Sequence, residues 1–446
     1  MSWCRPTPTR LSTFRQRLKV APSRGQPLST GPTTSSSHSR AFRDLRKTRT
    51  LLRAWQTINR NAETSGSQTT RSKAREFAKD LPSNLRKIQS DLRNGYAFEK
   101  PFGATPPKGG GKKGNRPIVV ASLRDRVVQR AILDTLQSEN HFPKIAEILE
   151  TPTSIGGIPG RGVDHAIRLF SASVKEGSQY VAGSDIGSFF TKIDQEEVLD
   201  FLRSAGVAED FRNLIANALA VDLRNAGDLT NELRALFPTG TDGVAQGSPL
   251  SALAGNVVLR EFDKKMNGRG IVCIRYIDDF LVCGPNKRSV SKAMKSAEAL
   301  LDAKGMSIYD PTETPEKAFV GPIDSHHTFL GYQLIPGQFP PSTASCQKLL
   351  KNIDGELRNG RKSIARAVRG RDLKPTDRLL VQSLVQVDRI VRGWRQSHSM
   401  SNCPSIFEEL DRQIDRRINS FMKYYRDQTA GKPTHARRLA LGVKPL

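Results

Sequence analysis

The sequence predicts an α+β fold with an all-helical C-terminal unit, and three observations carry that expectation. Short β-prone runs near residues 180–186 and 271–283 alternate with helical stretches through the middle third. Beyond about Gly337 such runs cease. Leu380, Leu384, Val387, Val391 and Trp394 then recur in a 4-3-4-3 spacing, and Phe407, Leu410, Ile414, Phe421 and Tyr425 mark a second apolar stripe. With a helix over Gln347–Arg366, these make a small helical bundle.

Each element can be read in order. Residues 1–43 hold eight Lys or Arg and no Asp or Glu, with a Ser, Thr, Pro and Gly run from Pro22 to Arg40. Such a stretch lacks apolar content to pack, so residues 1–41 read as a basic arm. An RNA-binding tail, an organelle transit peptide and a plain solvated extension all fit it. Phe42, Leu45, Leu52, Trp55 and Ile58 share one helical face and open the folded part. The polar stretch Asn61–Arg75 leads into a helix through Leu81, Leu85, Ile88 and Leu92. The run Pro106-Pro107-Lys108-Gly109-Gly110-Gly111-Lys112-Lys113-Gly114 reads as a hairpin tip or a mobile basic loop. It lacks the GxxxxGK[ST] string, which excludes a Walker phosphate loop. A short strand at Arg116–Val120 and a helix over Leu123–Leu136 follow. Next come a strand over Tyr180–Ile186, ending in Phe189 and Phe190, and a helical stretch Val198–Leu219. Ile271–Tyr276 and Phe280–Cys283 then form a hairpin with Ile277, Asp278 and Asp279 at its tip.

Composition narrows the function. The 446 residues suffice for two or three packed units. Seventy Lys and Arg against 44 Asp and Glu leave a net charge of +26, which points to a polyanion as partner, nucleic acid before an anionic membrane surface. No stretch approaches the roughly 18 consecutive apolar residues that a membrane-crossing helix needs, so no membrane partner is expected. The five cysteines, Cys4, Cys273, Cys283, Cys346 and Cys403, are scattered without a CxxC pair. That argues against a disulfide scaffold or a zinc module and suits a reducing cytosol, so a cytoplasmic location is expected. The basic helix faces at the C-terminus, Arg389, Arg392, Arg395, Arg412, Arg416 and Arg417 among them, suggest a nucleic-acid groove rather than an ordinary solvated face.

Three segments carry chemistry: Asp185-Ile186-Gly187-Ser188-Phe189-Phe190, Gln246-Gly247-Ser248-Pro249-Leu250-Ser251, and Tyr276-Ile277-Asp278-Asp279. Alone, an Asp-Asp pair at a turn is usually a solvent-facing turn, and the Gln-Gly-Ser string could be a helix start or a loop approaching a base pair. Side by side, two carboxylates repel unless a cation lies between them, and a third at a neighbouring strand end makes a two-ion clamp plausible. Such clamps serve in-line phosphoryl transfer, and oxygen ligands without His or Cys favour magnesium.

In order and flanks, these segments resemble the reverse transcriptases, in particular the group II intron-like bacterial branch. Leu92–Tyr96, the basic loop, Arg116-Pro117-Ile118 and Leu123–Ala131 are similar to that family's fingers segment. Ile158–Gly162 with His165-Ala166-Ile167 resembles its next block. Asp185 with Phe189-Phe190, Gln246–Leu253, Arg275–Phe280 and Phe329–Tyr332 resemble its palm blocks, and Ile390–Trp394 a thumb helix. The resemblance implies a right-hand polymerase: helices and fingers over 42–175, palm over 176–337 with its small antiparallel sheet, helical thumb over 338–430 and a basic tail over 431–446. It implies RNA-directed DNA synthesis with two Mg²⁺ ions (Mn²⁺ as an alternative), an RNA template, a DNA product and deoxynucleotides. Asp185, Asp278 and Asp279 would be the catalytic acids, with the Ile186 carbonyl as a further metal ligand. Phe190 would exclude a ribose 2′-hydroxyl; Gln246 and Gly247 would line the nucleotide pocket; Arg116 and Lys113 would meet the triphosphate. Tyr276, Arg392 and Trp394 would contact primer or template.

There are departures. Where the family commonly has Asn-Pro-x-Lys-Thr, with the lysine as a general acid, this chain reads Asp310-Pro311-Thr312-Glu313-Thr314, so either Lys317 substitutes or the step relies on metal and water. A retron Val-Thr-Gly string and a His-Asn-His endonuclease extension are missing, which turns the expectation toward a stand-alone, defence-associated enzyme copying a cognate non-coding RNA. A maturase-type splicing factor using only its basic surface, and an untemplated nucleotidyl transferase, are the rivals.

Overall fold

The computed structural model describes residues 35–443 except 66, 109–113, 139–140 and 375. Four helices open it: α1 (Ser35–Leu45), α2 (Thr48–Glu63), α3 (Gln68–Lys79) and α4 (Leu81–Asn94). Helix α1 begins inside the stretch expected to be an arm, and its Ala41 and Leu45 are fully buried. The first 34 residues of that expected arm lie outside the described part. The single helix expected over Phe42–Ile58 is two, because Lys47 turns to extended backbone between them. Within the polar stretch 61–75, α3 forms behind a Ser67 side chain that accepts from the Thr70 amide; only Ala74 of this helix is buried, so the sequence carries almost no apolar stripe to announce it.

A two-stranded antiparallel ribbon follows, β1 (Phe102–Ala104) with β2 (Ile118–Val120), in register Phe102 to Val120. The Lys108 amide donates to the Gly114 carbonyl (2.9 Å), closing a hairpin around the glycine-rich run. Next come α5 (Leu123–Leu136), α6 (Pro143–Glu150) and α7 (Val163–Lys175). Helix α5 packs its apolar side on α2, joining the N-terminal helices to the main core.

The central strand β3 (Tyr180–Gly187) leads to a short 3₁₀ turn over Phe189–Thr191, then α8 (Gln195–Ser204) and α9 (Glu209–Leu219). The one helical stretch expected over 198–219 is thus two; Gly206, at φ +82°, lies between them. The chain continues through α10 (Asn231–Arg234), α11 (Ser251–Val258), α12 (Arg260–Lys265), β4 (Val272–Tyr276), β5 (Asp279–Gly284), α13 (Lys287–Asp302), β6 (Ser307–Ile308), β7 (Ala318–Pro322) and the hairpin β8 (His327–Phe329) and β9 (Tyr332–Leu334). Strands β3 to β7 form one antiparallel five-stranded sheet with β3 in its middle, flanked by β5 on one edge and by β6 and β7 on the other. Strand β3 carries Val181 and Ala182 to opposite apolar clusters, so both faces of the sheet are covered.

The C-terminal unit is all helical: α14 (Thr343–Val368), α15 (Leu380–Ser397), α16 (Pro404–Thr429) and α17 (Thr434–Leu441). Leu349, Ile353, Ile364, Val387, Leu410 and Phe421 make its core. Gly360 lets helices approach closely, since a Cβ there would lie 2.5 Å from Ser383 Oγ. The expected tail over 431–446 is instead built largely of α17, whose Ala436 and Ala440 are buried against the bundle; small residues at i and i+4 supply the contact face.

Candidate active site

Two strand ends and a turn build the site. Asp185 lies opposite Asp279 in the β3–β5 register, and directly paired residues share a face of the sheet. Tyr276 pairs with Asp279, which leaves Ile277 and Asp278 as a two-residue turn. Ile277 takes φ +62°, a conformation costly for a β-branched residue. Its surroundings hold it there. Gly156 packs so closely that a Cβ on it would fall 2.3 Å from Ile277 Cγ1, and Arg275 Nη1 donates to the Ile277 carbonyl (2.9 Å). The Ile186 amide donates to the Asp278 carbonyl (2.8 Å), tying the turn to β3.

Arg275 anchors this arrangement from below, and its role is one that sequence reasoning missed. It is fully buried, with Nε and Nη2 donating to both oxygens of Asp263 (2.7 and 2.5 Å). Nη2 also reaches Ser154 Oγ (2.9 Å) and Asn256 Oδ1 (3.0 Å), so the guanidinium is satisfied on every side.

A cavity of about 780 Å³ opens over these acids. Asp185, Asp278 and Asp279 line it, together with Ile186, Arg116, Lys108, Phe190, Gln246 and Lys317. Burial raises the Asp278 pKa above the usual carboxylate value and Asp185 raises it further, while Arg116 pulls it down. All three residues line the same cavity. Phe189 is buried in the core and Phe190, set edge-on to it at 5.3 Å, is partly exposed; both border the cavity. Lys317 reaches in with its Nζ 3.7 Å from the Tyr309 ring centroid, and its carbonyl accepts from the Asp185 amide (3.1 Å). Glu313, the position matched by spacing, does not line the cavity. Lys317 itself ends a Pro-x-Lys string, Pro315-Glu316-Lys317, directly before β7.

Four expected residues lie elsewhere. Gly247, at φ +111°, turns away and lines a smaller neighbouring cavity. Tyr276 packs beside the apolar cluster of Ile274 and Leu281 rather than lining the large cavity. Trp394 is spent on packing: its ring lies 4.3 Å from His398 and 6.1 Å from Phe407, and Nε1 donates to Ser345 Oγ. Arg392 is exposed on α15 in a pair with Asp388. Lys113 lies outside the described residues.

Two converging carboxylates, one of them buried and pushed toward its protonated form, fit a hard cation such as Mg²⁺. Among the described residues, however, no three His, Cys, Asp or Glu side chains gather closely enough to hold an ion.

Comparisons with known proteins identify the family. Residues 106–334 match the family described as reverse transcriptase (RNA-dependent DNA polymerase), and residues 362–440 match the group II intron, maturase-specific domain. Protein YkfC of Escherichia coli (strain K12) is 28% identical over 169 residues, 36% of this chain and 40% of that protein. The chain thus spans about two-fifths of that relative's length. A Cas6-RT-Cas1–Cas2 complex aligns at TM-score 0.33 and 18% identity, over 59% of this chain and 43% of that one. Telomerase from Candida albicans aligns at TM-score 0.39 and 10% identity, over 78% and 65%. The first match alone spans just over half of the sequence, so the chain belongs to the reverse transcriptase family, in its group II intron-like branch.

Proposed function

We propose that this protein is an RNA-directed DNA polymerase that joins a primer 3′-hydroxyl to the α-phosphate of a deoxynucleotide and releases pyrophosphate. The observation that carries the reading is the meeting of Asp185 and Asp278 in one cavity with Arg116, Phe190 and Gln246. Asp185, Asp278 and the Ile186 carbonyl would hold the divalent ions, with Asp279 supporting. When bound, Mg²⁺ or Mn²⁺ supplies the positive charge that activates the attacking oxygen and stabilises the leaving one. Arg116 binds the triphosphate through charge-assisted hydrogen bonds. Lys317, steadied over Tyr309, gives a proton to the departing pyrophosphate. The Phe190 ring fills the space that a ribose 2′-hydroxyl would need. Basic faces of the C-terminal helices hold the duplex by its phosphates, and A-form shape favours an RNA template.

Primer extension on an RNA template tests this. Asp278→Asn should lower the rate by about a thousandfold or more while leaving RNA affinity intact, because several kcal/mol of charge stabilisation are lost without disturbing the basic surface. Full extension by the variant would remove the reading. The match of residues 362–440 to a maturase-specific domain favours a second reading, a splicing factor that uses RNA binding alone. Splicing that survives Asp278→Asn would support it. The anti-phage setting rests on the family resemblance, and sequencing the nucleic acid that copurifies with the protein tests it. One enriched non-coding RNA with its complementary DNA supports that setting; an intron RNA favours the splicing factor.

A further inference from the structure

The turn between β8 and β9 takes a shape its residues do not favour. Phe329 pairs with Tyr332, so Leu330 and Gly331 alone make the turn, at φ +50° and +85°. Two positive φ angles in a two-residue turn call for Asn-Gly, and a leucine there is strained unless its surroundings hold it. The same turn is a wall of the catalytic cavity, to which Thr328, Phe329, Leu330, Gly331 and Ser342 contribute and none brings a charge.

What holds the turn comes from the C-terminal helices. His398, directly after α15, is 4% exposed. Its Nδ1 lies 2.9 Å from the Trp394 carbonyl, an acceptor, so Nδ1 carries a hydrogen. Nε2 is on the other edge of the ring, 3.3 Å from the Gly331 carbonyl and 3.2 Å from Ser345 Oγ. The Trp394 indole donates to that same hydroxyl oxygen (3.0 Å), which leaves the hydroxyl's own hydrogen for Nε2. The Ser342 amide donates to the Gly331 carbonyl (2.8 Å), and a Cβ on Gly331 would stand 3.4 Å from Nε2. One residue on, the Tyr332 hydroxyl donates to the Ser397 carbonyl (3.1 Å) and accepts from the Met400 amide (3.3 Å). The two ring nitrogens of His398 therefore have separate tasks: Nδ1 closes the end of α15, and Nε2 reaches across to the turn.

An uncharged wall is no seat for a triphosphate, which needs the cations Arg116 and Lys108 elsewhere in the cavity. It suits a sugar. In the polymerase reading above Phe190 meets the sugar of the nucleotide, which leaves this wall to the sugar that bears the attacking hydroxyl. Resting on that reading, we propose that His398 is a positioning residue for primer extension: through Nε2 it seats the Leu330–Gly331 turn, so the helical unit sets where one wall of the catalytic cavity stands. A displaced wall misplaces the attacking oxygen, and a shift of about 1 Å can cost roughly a hundredfold in rate.

Two amide side chains separate the tasks. In His398→Asn the amide nitrogen takes the place of Nδ1 and nothing reaches the turn. In His398→Gln the longer amide takes the place of Nε2 and the bond to Trp394 is lost. With the full chain, an RNA template and a DNA primer, His398→Asn should lower kcat about tenfold or more while nucleotide KM and duplex affinity, read by fluorescence anisotropy, stay within about twofold. Amide hydrogen exchange over residues 327–334 should quicken in the same variant, and His398→Gln should keep most of the wild-type kcat. Unchanged kcat or unchanged exchange in His398→Asn, a deeper loss in His398→Gln than in His398→Asn, or a fall in duplex affinity that matches the loss of rate overturns the proposal. Should the Asn variant not fold, Gly331→Ala probes the same contact from the turn: kcat should drop with duplex affinity kept, and an unchanged kcat overturns the assignment. A wild-type chain that extends no primer sinks the polymerase reading; one that extends primers as fast with asparagine at 398 sinks only the role of His398.

Discussion

Two arginine–aspartate pairs use the same chemical groups to opposite ends. Arg275 and Asp263, beneath the catalytic turn, are 0% and 3% exposed and meet at 2.5 Å within a closed hydrogen-bond network. Arg392 and Asp388, on α15, are 80% and 53% exposed and meet at 2.9 Å in solvent. Water can replace either partner of the second pair at almost no cost, whereas nothing replaces a partner of the first. The buried pair therefore serves geometry, fixing where Ile277 and Asp278 stand, and the exposed arginine is left available to a passing phosphate.

The largest way to break this contrast is Arg275→Met, which strands Asp263 and should cost about 3–5 kcal/mol in denaturant unfolding. Adding Asp263→Leu should recover much of that stability but not primer extension, because the Ile277 carbonyl still lacks its donor; a double variant as unstable as the single would deny that the stranded charge is the cause. Phe190→Ala comes next. It should reduce discrimination against ribonucleotides by roughly 1–3 kcal/mol, measured as the ratio of kcat/KM for deoxy- and ribonucleotides, with little change in folding. Arg392→Ala should alter stability by less than about 0.5 kcal/mol, yet lower the slope of log affinity against log salt by roughly 1 if this face meets a duplex. The smallest effect belongs to His327, half-buried and stacked on Phe319 at 4.6 Å. Burial lowers its pKa below 6.5, so the unfolded chain takes up a proton first and stability falls as pH drops through that ordinary value. His327→Gln should flatten the fall, which thermal melts between neutral and mildly acidic pH would register.

Local signals in the sequence were enough for the hairpin of β4 and β5 and the strand bearing Asp185, because alternation and turn chemistry are short-range properties. What escaped was non-local or unadvertised. The partners of Arg275 come from residues 154, 256 and 263, and no pattern along the chain marks them as neighbours. Helices α3 and α17 bury only one and two small residues, too few to produce a visible stripe. Lys317, named as the substitute for the missing motif lysine, lines the cavity, whereas Glu313 at the matching position does not. Trp394 sits in the basic helix that invited a strand-binding role, but its indole closes the junction with His398 and Phe407.

The short segment 153–157 embraces the catalytic turn: the Arg275 amide donates to the Thr153 carbonyl and the Ile155 amide to the Arg275 carbonyl, both at 2.8 Å, while Gly156 receives Ile277. A ribosome makes this cradle more than a hundred residues before the hairpin that rests in it, and β3 before the hairpin as well. The turn is thus laid onto a cradle already synthesised, whereas Lys317 and β7, which close the other side of the cavity, leave the ribosome after it.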